Sequence, residues 1–260
     1  MVLVGKRCAV DVGECIDSSV VILPAGLTVG GNVLLRDLRW LKDVVIPDGV
    51  REIGERWFAN SAVESMAIHS SVTVIGREAF CNCEDLRRVT FAPGSELERI
   101  ETYSFRNSGI ESVMIPKSVV EVQEGAFYGC KNLKEVTFEE GSALRKIEHD
   151  AFRGCCSLAR IGLPDGLERI ETKTFWGCRS LRYVEIPESV VHIGKECFNW
   201  CGLEGVAFSA SVEEIGEKAF YDNKLREVVF ASGSGLRVVG DYAFGANRLD
   251  RESVCFPEGA

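Results

Sequence analysis

The sequence lacks two features that would point to a membrane or a nucleic acid. No stretch of about 18 apolar residues occurs, which is the length that a membrane-spanning helix requires. Positive charge is in deficit, since the formal net charge is −9 at pH 7, whereas binding to a phosphate backbone needs a basic face. We therefore expect neither membrane insertion nor nucleic-acid binding.

The first residues also lack the apolar core of a secretory signal. Residues 1–17 place only a few apolar side chains between charged ones. This favours a cytoplasmic, intracellular location, and the alternative is a cell-surface or secreted protein from which a signal has been removed.

Internal repetition is what the sequence has in abundance. A phenylalanine recurs every 22 to 25 residues, and a branched aliphatic residue always stands five positions before it. The anchor residues are Phe58, Phe80, Phe105, Phe127, Phe152, Phe175, Phe198, Phe220 and Phe244. Another aliphatic residue follows each anchor by five or six positions. A period of this length predicts a solenoid.

Each copy ends in a pattern typical of a short strand. In Leu86, Val89 and Phe91 the last two apolar residues lie two positions apart, so they share one face of an extended chain. One coil cannot bury its apolar face alone. Stacked coils therefore share a continuous core and align these strands into a parallel sheet.

Many positions repeat together, most completely in the copy at 119–138. Its conserved spacing is carried by Val122, Ala126, Phe127, Cys130, Leu133, Val136 and Phe138. This pattern resembles the leucine-rich repeats of the BspA-like type. The resemblance implies an α/β-type solenoid, a curved right-handed coil with one concave parallel β-sheet and an irregular, short helical or β convex side. It also implies recognition or adhesion, because members of that family include bacterial surface proteins and large protist families.

The repeats predict a single continuous solenoid domain. Residues 41–260 are expected to form about nine repeats of 22–25 residues. Residues 1–40 are expected to form an N-terminal cap with a degenerate repeat, because end coils must shield the core from water. After Leu249 the apolar pair comes late, at Val254 and Phe256, which indicates either a C-terminal cap or an array that ends between repeats.

The eleven cysteines follow the repeat. Five of them stand three residues after the anchor, where other copies have serine or asparagine: Cys83, Cys130, Cys155, Cys178 and Cys201. A position that accepts Cys, Ser or Asn favours a small side chain that hydrogen bonds to backbone groups. We predict a reduced structural ladder in a reducing compartment. Cys8 and Cys15 lie in the predicted cap, and both the paired and the free state stay open for them.

Metal binding and catalysis lack the residue sets that they need. Close cysteine pairs such as Cys81-x-Cys83 have no matching second pair. The histidines His69, His149 and His192 occupy three different repeat positions, so no nucleophile–base pair is expected. We expect no enzyme, no cofactor and no metal.

Two columns of residues on the predicted strands point away from the core. The candidate protein-binding residues lie in these columns: Arg88, Thr90, Ser112, Met114, Glu135, Thr137, Arg160, Tyr183 and Glu185. Met, Tyr and Arg are common at the centres of protein interfaces. The alternative interpretation is that small residues occur here because a curved sheet crowds its inner face.

A third column alternates in charge from coil to coil. It consists of Lys42, Glu64, Arg87, Glu111, Lys134, Ala159, Arg182, Glu204 and Arg226. Neighbouring strands place these residues side by side, so we predict ion pairs that set the register of the coils rather than a binding strip.

The functional hypothesis is a non-catalytic scaffold that binds a protein or peptide partner on the concave sheet. It rests on apolar positions that barely change between copies and sheet-face positions that do. The alternative is a cell-surface adhesin or a host-factor-binding protein.

Overall fold

The computed structural model describes residues 20–22, 35–250 and 252–255, and these residues form β-strands and turns without any helix. In chain order the strands are β1 (Val20–Ile22), β2 (Asp43–Val45), β3 (Glu52–Ile53), β4 (Ser65–Ile68), β5 (Val74–Ile75), β6 (Arg88–Phe91), β7 (Arg99–Ile100), β8 (Ser112–Ile115), β9 (Glu121–Val122), β10 (Glu135–Phe138), β11 (Lys146–Ile147), β12 (Arg160–Ile161), β13 (Arg169–Ile170), β14 (His192–Ile193), β15 (Gly205–Phe208), β16 (Glu214–Ile215), β17 (Glu227–Phe230), β18 (Val238–Val239) and β19 (Val254–Cys255). The described chain is thus a parallel-strand solenoid of about nine turns.

The strands form two rows, to which successive coils contribute in the same order. The long-strand row consists of a seven-stranded sheet, β1-β2-β4-β6-β8-β10-β12, and a three-stranded sheet, β15-β17-β19. The short-strand row is a nine-stranded sheet that runs from β3 to β18. Every pairing within both rows is parallel, as expected when each coil repeats the path of the previous one.

The expected α/β architecture with a helical convex side is not confirmed. The residues two positions before and two positions after every anchor phenylalanine have positive φ, for example Tyr103 at 56° and Asn107 at 56° around Phe105. A right-handed helix requires consecutive negative φ angles, so two left-handed residues within each such turn exclude it. The side opposite the long-strand row therefore consists of two-residue strands and turns.

The anchor phenylalanines form one continuous column through the core. From Phe58 to Phe220 they have no exposed surface, and neighbouring rings stack with centroids 5.0–5.5 Å apart and planes within 14° of parallel. Phe244 continues the column at 5.5 Å from Phe220 but is only partly buried. The predicted core register is confirmed.

The predicted hydrogen-bonding role of the cysteine ladder is also confirmed, whereas its reduced state and the reducing compartment stay predictions. The Cys83 thiol donates to the backbone oxygen of Phe58 at 2.9 Å, and the Cys201 thiol donates to that of Phe175 at 3.0 Å. In a later coil the Asn223 side-chain amide donates to Phe198 at 2.8 Å. Each residue thus satisfies the carbonyl of the anchor in the preceding coil. The five ladder cysteines are free, as are Cys81, Cys156 and Cys197; Cys8 and Cys15 lie outside the described residues.

Three ion pairs form along the charge column. The Nζ atom of Lys42 lies 2.7 Å from Glu64, that of Lys134 lies 2.9 Å from Glu111, and the pair of Arg182 and Glu204 is at 2.8 Å. The Lys134 hydrogen bond lowers the pKa of the Glu111 carboxyl. The prediction of ion pairs is confirmed. Each pair links only two neighbouring coils, so these three pairs do not form one continuous ladder. Each pair is exposed, so solvent and salt screen it and its contribution to stability is small.

The predicted ends of the solenoid are only partly described. β1 pairs with β2 in parallel, so residues 20–22 extend the long-strand row by one strand. Most of residues 1–40, together with Phe256, lie outside the described ranges. The N-terminal cap and the two interpretations of the C-terminal end therefore stay predictions.

Candidate protein-binding face

The long-strand row brings the predicted binding residues side by side. In the register of the row, Ser112 lies beside Arg88 on one side and beside Glu135 on the other. Glu135 in turn lies beside Arg160. Residues separated by more than 20 positions in the sequence thus form one contiguous column, because each coil closes onto the same strand position.

The second column, one strand position further along, is equally continuous. Thr137 pairs with Met114 across β10 and β8, and both point to the same side of the sheet as the first column. Met114 is 61% exposed although its strand neighbours Val113 and Ile115 are buried. This face therefore carries a large apolar side chain that the core does not use.

Polar contacts order part of the face. The Arg160 guanidinium lies 3.4 Å from a carboxylate oxygen of Glu135. The Tyr183 hydroxyl donates to one oxygen of Glu204 at 3.4 Å, while Arg182 donates to the other oxygen at 2.8 Å. Tyr183 nevertheless remains 66% exposed. Glu204 was not among the predicted binding residues, although its place in the charge column next to Arg182 could have indicated this contact.

The long-strand row is interrupted beside Tyr183. Residues 183–186 occupy the same repeat position as the strands, and Val184 and Ile186 are buried, yet the segment is not a strand. Its backbone groups make no hydrogen bond to other backbone groups of the described chain. β12 therefore ends the first sheet, and β15 begins the next one.

Gly162 provides a local reason for this interruption. It stands where neighbouring strands have Met114 and Thr137, and a Cβ atom added to it would meet no atom within 4 Å. A glycine offers no side chain for cross-strand packing and weakens a strand interior. Glu185, the predicted binding residue in the next coil, is exposed beyond this break.

Neither metal binding nor catalysis gains support from the arrangement of the histidines. His69 contacts Ser71 at 3.0 Å and lies 3.6 Å from Asp48, whereas His192 contacts Glu214 at 2.8 Å in a distant coil. Across the described ranges, no three His, Cys, Asp or Glu residues are grouped as a metal ion would require. The same ranges contain no helix that is long and apolar enough to cross a membrane.

The sequence matches a family model described as the BspA type leucine-rich repeat region. The match comprises six copies over residues 14–134, 98–226 and 145–258, which together span most of the chain. The chain belongs to this family. The comparison with curated proteins found no match.

Two solved structures resemble this BspA-type chain. A leucine-rich repeat protein from Bacteroides ovatus is 24% identical, with a TM-score of 0.54 over 80% of this chain and 70% of the other. A leucine-rich repeat protein of T. pallidum is 25% identical, with a TM-score of 0.54 over 73% of this chain and 85% of the other. Both are repeat proteins of the same kind, which agrees with the solenoid described above.

Proposed function

We propose that the protein is a non-catalytic scaffold that binds a protein or peptide partner on its long-strand row, the side that the family resemblance makes concave. One observation carries the proposal. Residues that differ from copy to copy in the sequence lie together on one exposed face, whereas the residues that recur are buried beneath it. Solenoids commonly use such extended surfaces for binding.

Met114 and Tyr183 supply the anchors that such an interface needs. They are 61% and 66% exposed, and aromatic, Met and Arg side chains dominate the energetics of interface centres. The Tyr183 hydroxyl reaches Glu204, so the ring has a polar contact while most of its surface stays free for a partner. Arg88 and Arg160 flank these anchors and offer guanidinium donors to a partner's carbonyl or carboxylate groups.

The partner is to be found by photo-crosslinking and its site tested by mutation. A photoreactive benzoylphenylalanine at Met114 should crosslink a protein from extracts of the producing cells or their surroundings. With that protein purified, Tyr183→Ala, Arg160→Ala and Arg88→Ala should each weaken Kd, and Tyr183→Ala should do so about tenfold or more. Surface-immobilised binding assays provide the measurement.

Tyr242 offers a matched control for this experiment. It is 71% exposed, like Tyr183, but lies in a turn of the last repeat rather than on the long-strand row. Tyr242→Ala and a photoreactive group at position 242 should leave binding and crosslinking unchanged. Unchanged affinity in all three row variants would place the binding site elsewhere on the solenoid.

A cell-surface adhesin or host-factor-binding protein is the second candidate. Membership of the BspA type favours it, because proteins of this type are generally interaction or surface-associated proteins. The same membership does not support the cytoplasmic location that the sequence alone suggests.

Location can be tested directly on intact producing cells. A membrane-impermeant amine reagent should label the protein if it is displayed at the surface, and the exposed Lys117 and Lys224 are suitable targets. A cytoplasmic protein labelled in the same cells only after lysis is the control. Absence of labelling before lysis, together with absence from the medium, would contradict the adhesin hypothesis.

A further inference from the structure

Arginine and aromatic side chains alternate along a turn of the solenoid, away from the long-strand row. We call these residues the arginine–aromatic ridge: Arg106, Tyr128, Arg153, Trp176, Arg179 and Trp200. The Arg153 guanidinium lies 5.6 Å from the centre of the Tyr128 ring and 4.7 Å from that of Trp176. Arg106 covers Tyr128 at 5.5 Å, and Arg179 covers Trp200 at 4.0 Å.

The repeat register creates this ridge. Arg106, Tyr128, Arg153 and Trp176 each stand directly after the anchor phenylalanine of four consecutive coils. Coils stack about 5 Å apart, so side chains at the same repeat position of successive coils are close enough to contact each other. Arginine and aromatic residues alternate from coil to coil at this position. The residues that follow Arg106 and Arg153, Asn107 and Gly154, have positive φ, which fixes the backbone beside the ridge.

The contacts within the ridge limit what it can bind. Tyr128 lies between two guanidinium groups, Trp176 lies between Arg153 and the edge-on ring of Trp200, and Trp200 is covered by Arg179. Because cations already occupy these ring faces, stacking on a sugar or a nucleobase is disfavoured. The outward N–H groups of the arginines remain available.

Two of the three arginines have no carboxylate partner. Arg153 donates to Asp150 at 3.1 Å, whereas no carboxylate of the described chain lies within ion-pair distance of Arg106 or Arg179. Both are exposed. Although the net charge of the protein is −9, these two uncompensated guanidinium groups form a local positive site that is complementary to an acidic segment.

We infer that the ridge is a second docking surface, which binds an extended acidic segment of a partner protein through Arg106 and Arg179. Each guanidinium would donate two N–H groups to the two oxygens of one carboxylate, the bidentate geometry that arginine favours. Their coils are three apart, or about 15 Å along the solenoid axis, and Arg179 also stands three residues further round its coil than Arg106. Four residues of extended chain span about 14 Å, and the long arginine side chains can reach across the remaining offset. Side chains at positions i and i+4 of an extended segment share one face. The recognised segment therefore carries Asp or Glu at i and i+4.

This inference does not depend on the function proposed for the long-strand row. A partner could occupy either surface alone, and occupation of both would join two partners through one rigid solenoid. Loss of binding at one surface should leave the other unaffected.

The test uses the full chain and a short synthetic peptide with glutamate at positions i and i+4 between glycine and serine residues. Binding is followed through the indole N–H signals in two-dimensional NMR, which detects even weak association. The signals of Trp176 and Trp200 should shift, whereas those of Trp40 and Trp57 should not. The affinity should fall with added salt because the contacts are ionic.

Two double variants separate the ridge from general charge effects. Arg106→Gln with Arg179→Gln should weaken peptide binding about tenfold or more, since each charge-assisted pair is lost. Arg226→Gln with Arg248→Gln removes the same charge from exposed arginines that contact no aromatic ring and should have no effect. Arg106→Lys with Arg179→Lys keeps the charge but not the planar fork and should give an intermediate affinity. Melting curves establish that each variant is folded, and the lysine variant replaces the glutamine variant if the latter unfolds.

Three results would overturn the inference. These are equal binding of a peptide with glutamine in place of glutamate, unchanged affinity in the Arg106 and Arg179 variants, and shifts that spare both ridge tryptophans. A phosphoserine peptide that binds where the glutamate peptide fails would show that the ridge takes phosphate groups instead of carboxylates, and would equally reject it.

Discussion

Replacing Phe127 with alanine is expected to reduce the free energy of unfolding by about 3–5 kcal/mol. The ring is fully buried and stacks at 5.2 Å on both Phe105 and Phe152. Its removal forfeits these contacts and leaves a cavity that the fixed spacing of the coils prevents from closing. Urea unfolding followed by circular dichroism measures the loss.

Phe244 provides the internal comparison. It occupies the same repeat position, but it is only partly buried and belongs to the last coil, where it stacks on Phe220. Phe244→Ala should therefore cost clearly less than Phe127→Ala. Equal losses, or a Phe127→Ala protein that unfolds like the parent, would refute the continuous phenylalanine column.

Alkaline conditions should destabilise the protein through its buried thiols. Burial raises the pKa of both Cys83 and Cys201 to about 12. In the unfolded chain a thiol titrates near pH 8.5. Above that pH the unfolded state releases protons that the folded state retains, so the stability that is complete below about 8.5 decreases as pH rises toward 12. Each thiol accounts for about 2 kcal/mol near pH 10.

Serine is the natural control at these positions, because Ser61 and Ser108 occupy them in other copies. A Cys83→Ser, Cys201→Ser variant keeps a donor for the phenylalanine carbonyls but does not titrate in this range. Its free energy of unfolding, measured in urea between about pH 7 and pH 10, should decrease less than that of the parent by about 4 kcal/mol in total. Parallel pH profiles for the two proteins would contradict the role of the thiols.

The cysteine ladder also shows that different residue types at one repeat position can make the same hydrogen bond. The thiols of Cys83 and Cys130 and the side-chain amide of Asn223 differ in size and chemistry, yet each group donates to the backbone oxygen of the anchor one coil earlier. Each carbonyl also accepts a backbone N–H, from Ser61 for Phe58 and from Ser108 for Phe105. An apolar replacement would therefore remove the second donor, at a cost of about 0.5–1.5 kcal/mol. This shared bond explains why Cys and Asn alternate at the position, whereas the hydroxyls of Ser61 and Ser108 contact the thiols of Cys83 and Cys130 in the next coil.

The two proposed surfaces differ in how rigidly the fold holds them. The long-strand row is interrupted next to Tyr183, where residues 183–186 lack backbone partners within the described chain. The arginine–aromatic ridge instead extends over five coils through ring and guanidinium contacts. We therefore expect side chains around Tyr183 to adjust on binding more than those of the ridge, because fewer backbone hydrogen bonds constrain them.

Much of the fold could be predicted from the sequence because the same residue pattern repeats along the chain. The spacing of Phe127, Cys130, Leu133 and their equivalents recurs in every copy, and a position that always receives the same class of residue has the same surroundings. The period, the buried register and the hydrogen-bonding role of the cysteines followed from that regularity, and the resemblance to BspA-like repeats is carried by the same positions.

Only the tertiary structure determined the features that depend on contacts between neighbouring coils. Positive φ on both sides of each anchor replaced the expected helical side with strands and turns, and local pairing selected three ion pairs from the alternating column. The ridge joins residues such as Arg153 and Trp176, 23 positions apart, at 4.7 Å. Such contacts arise only when each coil closes and stacks, so residues that vary between copies acquire neighbours that the repeat pattern does not specify.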